Sequence, residues 1–139
     1  MTTTVVGVDG SPDSDLAVEW AAADAARRHR PLHIVHAYLS PFVAAQVAVP
    51  TSGGFEPVLR AAAEGTLGAA VARASSVAAG LDITTDMPAG EAPAALLDAA
   101  RRAALLVVGC GHAAMAGLLP GSVSRAAVHH AACSVAVVK

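Results

Sequence analysis

Short apolar runs rich in β-branched residues alternate with helical segments, and this alternation constrains the fold more than any other feature. Residues 3–9, 32–38, 81–87, 104–110 and 134–139 have the length and composition of strands. The fourth run is apolar almost throughout, which is typical of a strand buried on both faces. Strands that alternate with helices predict a parallel sheet with right-handed crossovers. The predicted fold class is α/β, with five strands and helices on both faces of the sheet.

Capping residues and prolines predict where the first helix begins and ends. Ser11 followed by Pro12 is a typical helix start. Arg27 and Arg28 place positive charge where a helix C-terminus favours it, and Pro31 prevents continuation. A helix is therefore predicted over residues 12–28.

Three further helices are predicted, separated by loops and strands. Apolar residues at three- and four-residue steps predict one over residues 59–80. Another follows Pro93, and a last one covers residues 123–132. Residues 39–57 contain three prolines and two glycines, so we expect a long loop, with a short helical turn over residues 42–47 as an alternative.

Composition and charge exclude several classes of protein. A chain of 139 residues suits a single domain, here residues 1–139. Although 55% of the residues are hydrophobic, arginines interrupt the long apolar stretches, so no membrane span is predicted. The N-terminal residues lack the features of a signal peptide, and we expect a cytoplasmic protein. A net charge of -2, with one tryptophan and one tyrosine, argues against nucleic-acid binding.

The reactive side chains show no catalytic or metal-binding spacing. Cys110 and Cys133 are not in a C-x-x-C motif, so neither a disulfide nor a metal site is predicted. His129 and His130 are adjacent on a predicted helix and point in different directions, which disfavours joint metal ligation. No Ser-His-Asp or paired-carboxylate arrangement follows from the spacing, and no catalytic residue is assigned.

Residues 109–124, which we call the glycine segment, lead from the fourth strand to the last helix. Gly109 and Gly111 follow the strand, and Gly121 precedes Ser122 at the predicted helix start. Ser122 or Ser124 is expected to cap that helix. Glycines leave backbone N–H groups accessible, and a helix N-terminus favours negative charge. The segment is therefore predicted to bind phosphate or another anion.

Several short motifs occur together in an order that resembles one known family. They are Val-Val-Gly-Val-Asp-Gly-Ser-Pro at residues 5–12, Val-His-Ala at 35–37, Gly-Glu-Ala-Pro at 90–93, Val-Val-Gly-Cys at 107–110 and Gly-Ser-Val-Ser-Arg at 121–125. In this order they resemble the universal stress protein family over nearly the whole chain. The resemblance implies a flavodoxin-like, Rossmann-like fold with strand order 3-2-1-4-5. It also implies a homodimer that pairs through the last strand, residues 134–138.

The ATP-binding branch of that family holds the phosphates and ribose with a G-x2-G-x9-G-[ST] pattern, while the first-strand Asp and nearby backbone contact the adenosine. The resemblance therefore implies that ATP, or alternatively ADP, AMP or cyclic AMP, binds with Mg²⁺. Asp9 suits this role, because a carboxylate accepts from an adenine amino group or a ribose hydroxyl. The implied binding residues are Gly7, Val8, Asp9, Ala37, Val108, Gly109, Gly111, Gly121, Ser122, Val123 and Ser124. His112 is a further candidate, because it is the sole potential cation between Gly109 and Ser124.

The sequence departs from the family pattern at one position. Gly109-Cys110-Gly111 is one residue shorter than G-x2-G, whereas the spacing from Gly111 to Gly121 is kept. One residue corresponds to up to about 3.5 Å of chain.

This departure leaves more than one hypothesis for the function. The first is an adenine-nucleotide-binding regulatory protein of the stress response. The second is a nucleotide-free dimeric interaction module whose shortened glycine segment no longer binds ATP. An enzyme that hydrolyses ATP slowly or phosphorylates itself is a third reading, disfavoured because the only lysine is Lys139 and no general base is identified. We therefore expect a binding protein rather than an enzyme.

Overall fold

The structure is a computed structural model, and it describes residues 2–38, 55–111 and 122–139. In these residues five strands alternate with four α-helices and one short 3₁₀ helix. The strands are β1 (Thr4–Gly7), β2 (Leu32–Val35), β3 (Ile83–Asp86), β4 (Leu105–Gly109) and β5 (Ser134–Val138). The helices are α1 (Pro12–Arg27), α2 (Phe55–Val77), α3 (Ala92–Ala99), the 3₁₀ turn (Ala100–Arg102) and α4 (Ser122–His130).

All five strands are parallel, and their order is β3-β2-β1-β4-β5. The register places Val6 of β1 between Ile34 of β2 and Val107 of β4. The α/β class and the strand order 3-2-1-4-5 are therefore confirmed. This order places β3 and β5 at the two edges of the sheet.

Two hydrophobic cores lie on opposite faces of the sheet. Val6 and Ile34 point toward α1 and α2, whereas Val5 and Val35 point toward α3 and α4. Val5 and Val6 are 2% and 0% exposed, so adjacent residues of β1 are buried on opposite faces. Burial of one valine side chain contributes about 1.5–3 kcal/mol, so the central strand is a main source of stability. Helices on both faces were expected, and the two cores confirm them.

The start of α2 differs from the sequence-based expectation. The predicted loop over residues 39–57 is wrong at its last three residues, because α2 begins at Phe55. Pro57 is tolerated there because the first amides of a helix have no intrahelical acceptor. Residues 39–54, including the alternative turn over 42–47, lie outside the described residues. At its other end α2 stops at Val77, three residues before the predicted Gly80.

Several other boundaries lie within a few residues of those predicted. β1 ends at Gly7 rather than at residue 9, because the chain turns there to enter α1. Helix α4 begins at Ser122, so Ser122 and Ser124 are both inside the first turn and the prediction that one of them is the cap is wrong. None of the described helices is both long and apolar enough to span a bilayer.

We expect Gly109→Ala to destabilise the fold. A Cβ atom at Gly109 would lie 2.9 Å from the carbonyl carbon and oxygen of Asp13, closer than van der Waals contact allows. Overpacking of this kind costs about 1–3 kcal/mol in the free energy of unfolding, which urea denaturation measures.

Gly68→Ala is the matched control for that substitution. Gly68 lies within α2, and a Cβ there meets no atom within 4 Å. The change should raise the free energy of unfolding by up to about 1 kcal/mol, because alanine favours the helix. Equal stability of the Gly109→Ala variant and the wild type would contradict the close contact.

Candidate functional site

The carboxyl ends of β1 and β4 lie side by side at the point where the winding of the sheet reverses. From β1 the chain proceeds to β2 and β3 on one side, and β4 and β5 occupy the other side. In open parallel sheets this reversal leaves a crevice outside the carboxyl ends of the strands, where ligands bind. The loops after β1, β2 and β4 therefore form the candidate site.

The loop between β1 and α1 is held by hydrogen bonds among Asp9, Ser11 and Ser14. Asp9 Oδ1 accepts from the Ser11 amide at 2.9 Å. Ser11 is the N-cap of α1, and its Oγ accepts from the Ser14 amide at 3.2 Å. The Ser14 hydroxyl donates to the Ser11 carbonyl at 3.0 Å. Asp9 therefore has a structural role, and its carboxylate retains the capacity to accept further bonds because it has about four acceptor sites.

These bonds also stabilise the charged form of Asp9. Desolvation raises the pKa of the Asp9 carboxyl, but hydrogen bonds from the side chain and backbone of Ser11 and from Ser14 outweigh it. The pKa of Asp9 therefore lies below its usual value, and the group is ionised at neutral pH.

Main-chain groups at the end of β2 point alternately to the two neighbouring strands. The amides of His36 and Tyr38 donate to Asp86 and Pro88 beside β3, each at 3.1 Å. Alternation along an extended chain directs the N–H and C=O of Ala37 to the other side, toward β1. Ala37 thus presents a donor and an acceptor side by side at the candidate site.

The chain after β4 lies against the first turn of α1. Gly109 lies against the Asp13 backbone, and the Cys110 thiol donates to Asp13 Oδ2 at 3.7 Å. The Cys110 amide donates to the Val138 carbonyl at 2.9 Å. Gly111 has φ +71°, a left-handed conformation that favours glycine. The start of the glycine segment is thus fixed by α1 on one side and by β5 on the other.

Several predicted binding residues have their side chains in the cores. Val8 and Val108 are 8% and 2% exposed, and Val123 packs against the core beneath α3 and α4. A Cβ at Gly7 would lie 2.6 Å from a terminal methyl group of Leu96, so that side chain would have to shift to admit a larger residue there. These four residues offer a ligand main-chain groups only. Ser124 lies in the first turn of α4, whereas His112 and Gly121 lie outside the described residues.

Sequence reasoning missed two residues of the site. Asp13 adjoins Gly109 and Cys110, and its carboxylate adds negative charge near that of Asp9. The His36 ring contacts the Val8 carbonyl at 2.8 Å. The only sequence signal for Asp13 is its position after Pro12 in the first helical turn, and the only one for His36 is its place in the Val-His-Ala motif at residues 35–37.

A cleft of about 390 Å³ adjoins the β1–α1 loop and reaches α2. Its lining includes Val8, Gly10 and Ser14, with Thr66 and Arg73 from α2. Arg73 is the single cationic residue among the described lining residues, and it already pairs with the carboxylates of Asp15 (3.3 Å) and Glu19 (2.8 Å). Within the described ranges, no group of three His, Cys, Asp or Glu side chains is placed to hold a metal ion.

The family assignment rests on a match along the whole chain. The model of the universal stress protein family matches residues 1–139. The chain is 36% identical over 147 aligned positions to a universal stress protein of Mycobacterium tuberculosis strain H37Rv.

The chain belongs to the universal stress protein family.

Known family members share the fold of this chain, and the curated relatives are about twice as long. The M. tuberculosis alignment covers 96% of this chain but 46% of the relative, so the chain spans about half the length of the curated relatives it matches. A universal stress protein crystallised in complex with cAMP is 31% identical, with a TM-score of 0.72 and coverage of 99% of this chain and 96% of that one. The structure from Archaeoglobus fulgidus has a TM-score of 0.76 at 24% identity, covering 100% and 99%. The latter supports the fold of this universal stress protein.

We expect Asp9→Asn to weaken the acid dependence of stability. The lowered pKa means that ionised Asp9 stabilises the folded state above its unfolded pKa of roughly 3.9 and that this contribution is lost as the pH falls below it. Asparagine keeps an acceptor for the Ser11 amide but does not titrate. Urea unfolding between pH 3 and pH 6 should show the wild-type advantage shrinking with acid. If the free energies of unfolding of the two proteins changed with pH in parallel, ionised Asp9 would not stabilise the folded state.

Proposed function

We propose that this universal stress protein is a regulatory protein that binds an adenine nucleotide, ATP with Mg²⁺, at the edge formed by the ends of β1, β2 and β4. The main supporting observation is the N–H and C=O pair of Ala37. Bound nucleotide would contact the glycine segment and alter contacts with a partner. The proposed role is binding rather than turnover, in the cytoplasm.

The Ala37 main chain matches the hydrogen-bonding edge of adenine. Adenine has a ring nitrogen that accepts beside an amino group that donates, so an N–H and a C=O on one residue complement it. Ala37 directs both groups toward β1, because His36 and Tyr38 use theirs on the β3 side. A guanine base presents a donor and an acceptor in the reverse order at the same edge. The geometry therefore favours adenine over guanine.

Ribose and phosphate would follow along the edge toward β4. Asp9 is ionised and is suited to accept from a ribose hydroxyl. Gly111 and the N-terminus of α4 border the glycine segment, where amides and the helix dipole favour phosphate oxygens. Mg²⁺ would take most of its ligands from phosphate and water, with Asp9 or Asp13 as the nearby carboxylates. The 31% identical universal stress protein in complex with cAMP supports an adenine ligand.

Calorimetric titration tests the proposal. We expect ATP with Mg²⁺ to bind with a dissociation constant in the micromolar to millimolar range and GTP to bind at least about tenfold more weakly, because its base edge leaves the Ala37 groups unpaired. Mass spectrometry of freshly purified protein should show a co-purified adenine nucleotide. Absence of any adenine-nucleotide binding at millimolar concentration would refute the proposal and favour the nucleotide-free hypothesis.

A pair of glycine substitutions localises the site. Gly121→Val should abolish ATP binding, because the glycine segment then has a branched side chain beside the predicted phosphates. Gly68→Ala, on an exposed position of α2, should bind ATP as the wild type does. Urea unfolding of both variants confirms that each is folded. Unchanged affinity in the Gly121→Val protein would place the nucleotide elsewhere.

We also propose that the protein is a homodimer paired through Ser134–Val138. β5 is an edge strand, and edge strands present unpaired main-chain groups. The Cys110 amide donates to the Val138 carbonyl, and Gly109 is paired with Val138, so Val138 directs its main chain inward to β4. Because main-chain direction alternates along a strand, Val137 directs its own N–H outward. Val137 adds an exposed apolar side chain, at 41% exposure.

Val137→Pro should convert the dimer to a monomer. Proline removes an outward N–H and blocks strand pairing, and edge strands tolerate it when that N–H faces solvent. Val137→Ile keeps the N–H and an apolar side chain and should remain dimeric. Light scattering across a concentration series measures the mass of each protein, with circular dichroism as the check on folding. A wild-type protein that stays monomeric at high concentration would rule out this interface.

A further inference from the structure

The imidazole of His36 occupies the place of a main-chain donor at the end of β1. Its Nδ1 lies 2.8 Å from the Val8 carbonyl oxygen. A carbonyl oxygen only accepts, so Nδ1 must bear the hydrogen. The neutral ring of His36 is therefore the Nδ1–H tautomer.

In a continued ladder the Val8 carbonyl would accept from Ala37. The Val8 amide donates to the Val35 carbonyl at 2.9 Å, and the next bond between parallel strands would join the Ala37 amide to the Val8 carbonyl. Among the described residues no backbone bond joins those two groups. The imidazole holds the acceptor that would otherwise pair with Ala37.

A role in satisfying the carbonyl alone does not account for this arrangement. The Val8 carbonyl already has a potential donor in the amide of Ala37, two residues after the end of β2, and that bond would need no side chain. The imidazole instead ends the β1–β2 ladder one bond early. As a result, the N–H of Ala37 is directed at the edge of the sheet and is not hydrogen-bonded to the Val8 carbonyl.

We propose that His36 is a positioning residue that binds the Val8 carbonyl and thereby reserves the Ala37 N–H for the base of the nucleotide. The inference rests on the proposed function for the identity of the ligand. It adds a specificity determinant that acts through another residue, and it has a consequence that is measurable without any ligand.

Nuclear magnetic resonance on the ligand-free protein tests the local arrangement. We expect the imidazole ¹⁵N shifts to show the Nδ1–H tautomer and the Ala37 amide to exchange rapidly with solvent. In His36→Ala the freed Val8 carbonyl should capture the Ala37 amide, and its exchange should slow. In His36→Asn the exchange should stay rapid, because the side-chain N–H₂ of asparagine takes the position of Nδ1. An Nε2–H tautomer, or equal Ala37 exchange in all three proteins, overturns the inference.

Nucleotide selectivity tests the consequence. Inosine triphosphate differs from ATP in its base edge, where a donor replaces the ring acceptor and an oxygen replaces the amino group. We expect His36→Ala to lose about tenfold in ATP affinity, the contribution of one hydrogen bond, and to change little for inosine triphosphate. His36→Asn should restore the preference for ATP. A uniform loss for both nucleotides would indicate a merely structural role and overturn the inference.

The two proposals fail in different ways. If the wild type binds no adenine nucleotide, the proposed function fails and so does the assignment of the Ala37 N–H to a base, whatever the exchange data show. If the wild type prefers ATP while His36→Ala keeps that preference, the proposed function stands and the role of His36 falls. The exchange rate of the Ala37 amide and the ratio of the affinities for ATP and inosine triphosphate therefore distinguish the role of His36 from the proposed function.

Discussion

The close contact between the end of β4 and the first turn of α1 sets the positions of both loops at the candidate site. At Gly109 there is no room for a Cβ, because the Asp13 backbone occupies that space. Helix α1 begins directly after the loop that contains Asp9, and β4 leads directly into the glycine segment. A side chain at residue 109 would separate α1 from the sheet and displace the two loops from each other.

The glycines at this site are therefore explained by more than one physical requirement. Gly109 is required by packing against the Asp13 backbone, whereas a Cβ at Gly7 would require only the Leu96 side chain to shift. Gly10 and Gly111, with φ +83° and +71°, are required by backbone conformation. A glycine pattern in the sequence is thus consistent with phosphate contact without being specific for it. The conformation of Gly109-Cys110-Gly111 is constrained by its contact with α1, whether or not a ligand binds there.

The periodicity of the sequence predicts local elements well and long-range contacts poorly. Buried β-branched runs and capped helices predict the five strands and four helices to within a few residues, while the central place of β1 follows from the family resemblance and not from the alternation of elements. The contact of His36 with Val8 spans 28 residues, and that of Cys110 with Asp13 spans 97. Both depend on strand order, and the motifs at 35–37 and 107–110 do not indicate which distant residue each of these side chains contacts. The start of α2 was missed because Pro57 suits a loop and a first helical turn equally.

Charge divides the edge into two ends with different capacities for a ligand. Asp9 and Asp13 are both acidic, and Arg73, the nearest described cation of the cleft, is paired with Asp15 and Glu19. The N-termini of α1 and α4 offer about half a positive charge each, which is too little to balance a triphosphate. A triphosphate at this edge therefore needs Mg²⁺, whereas a nucleotide with a single phosphate has less charge to neutralise. Selectivity for a nucleotide base would consequently depend on the end of the edge at Ala37. The main chain there offers one donor and one acceptor, and no like charge repels the base.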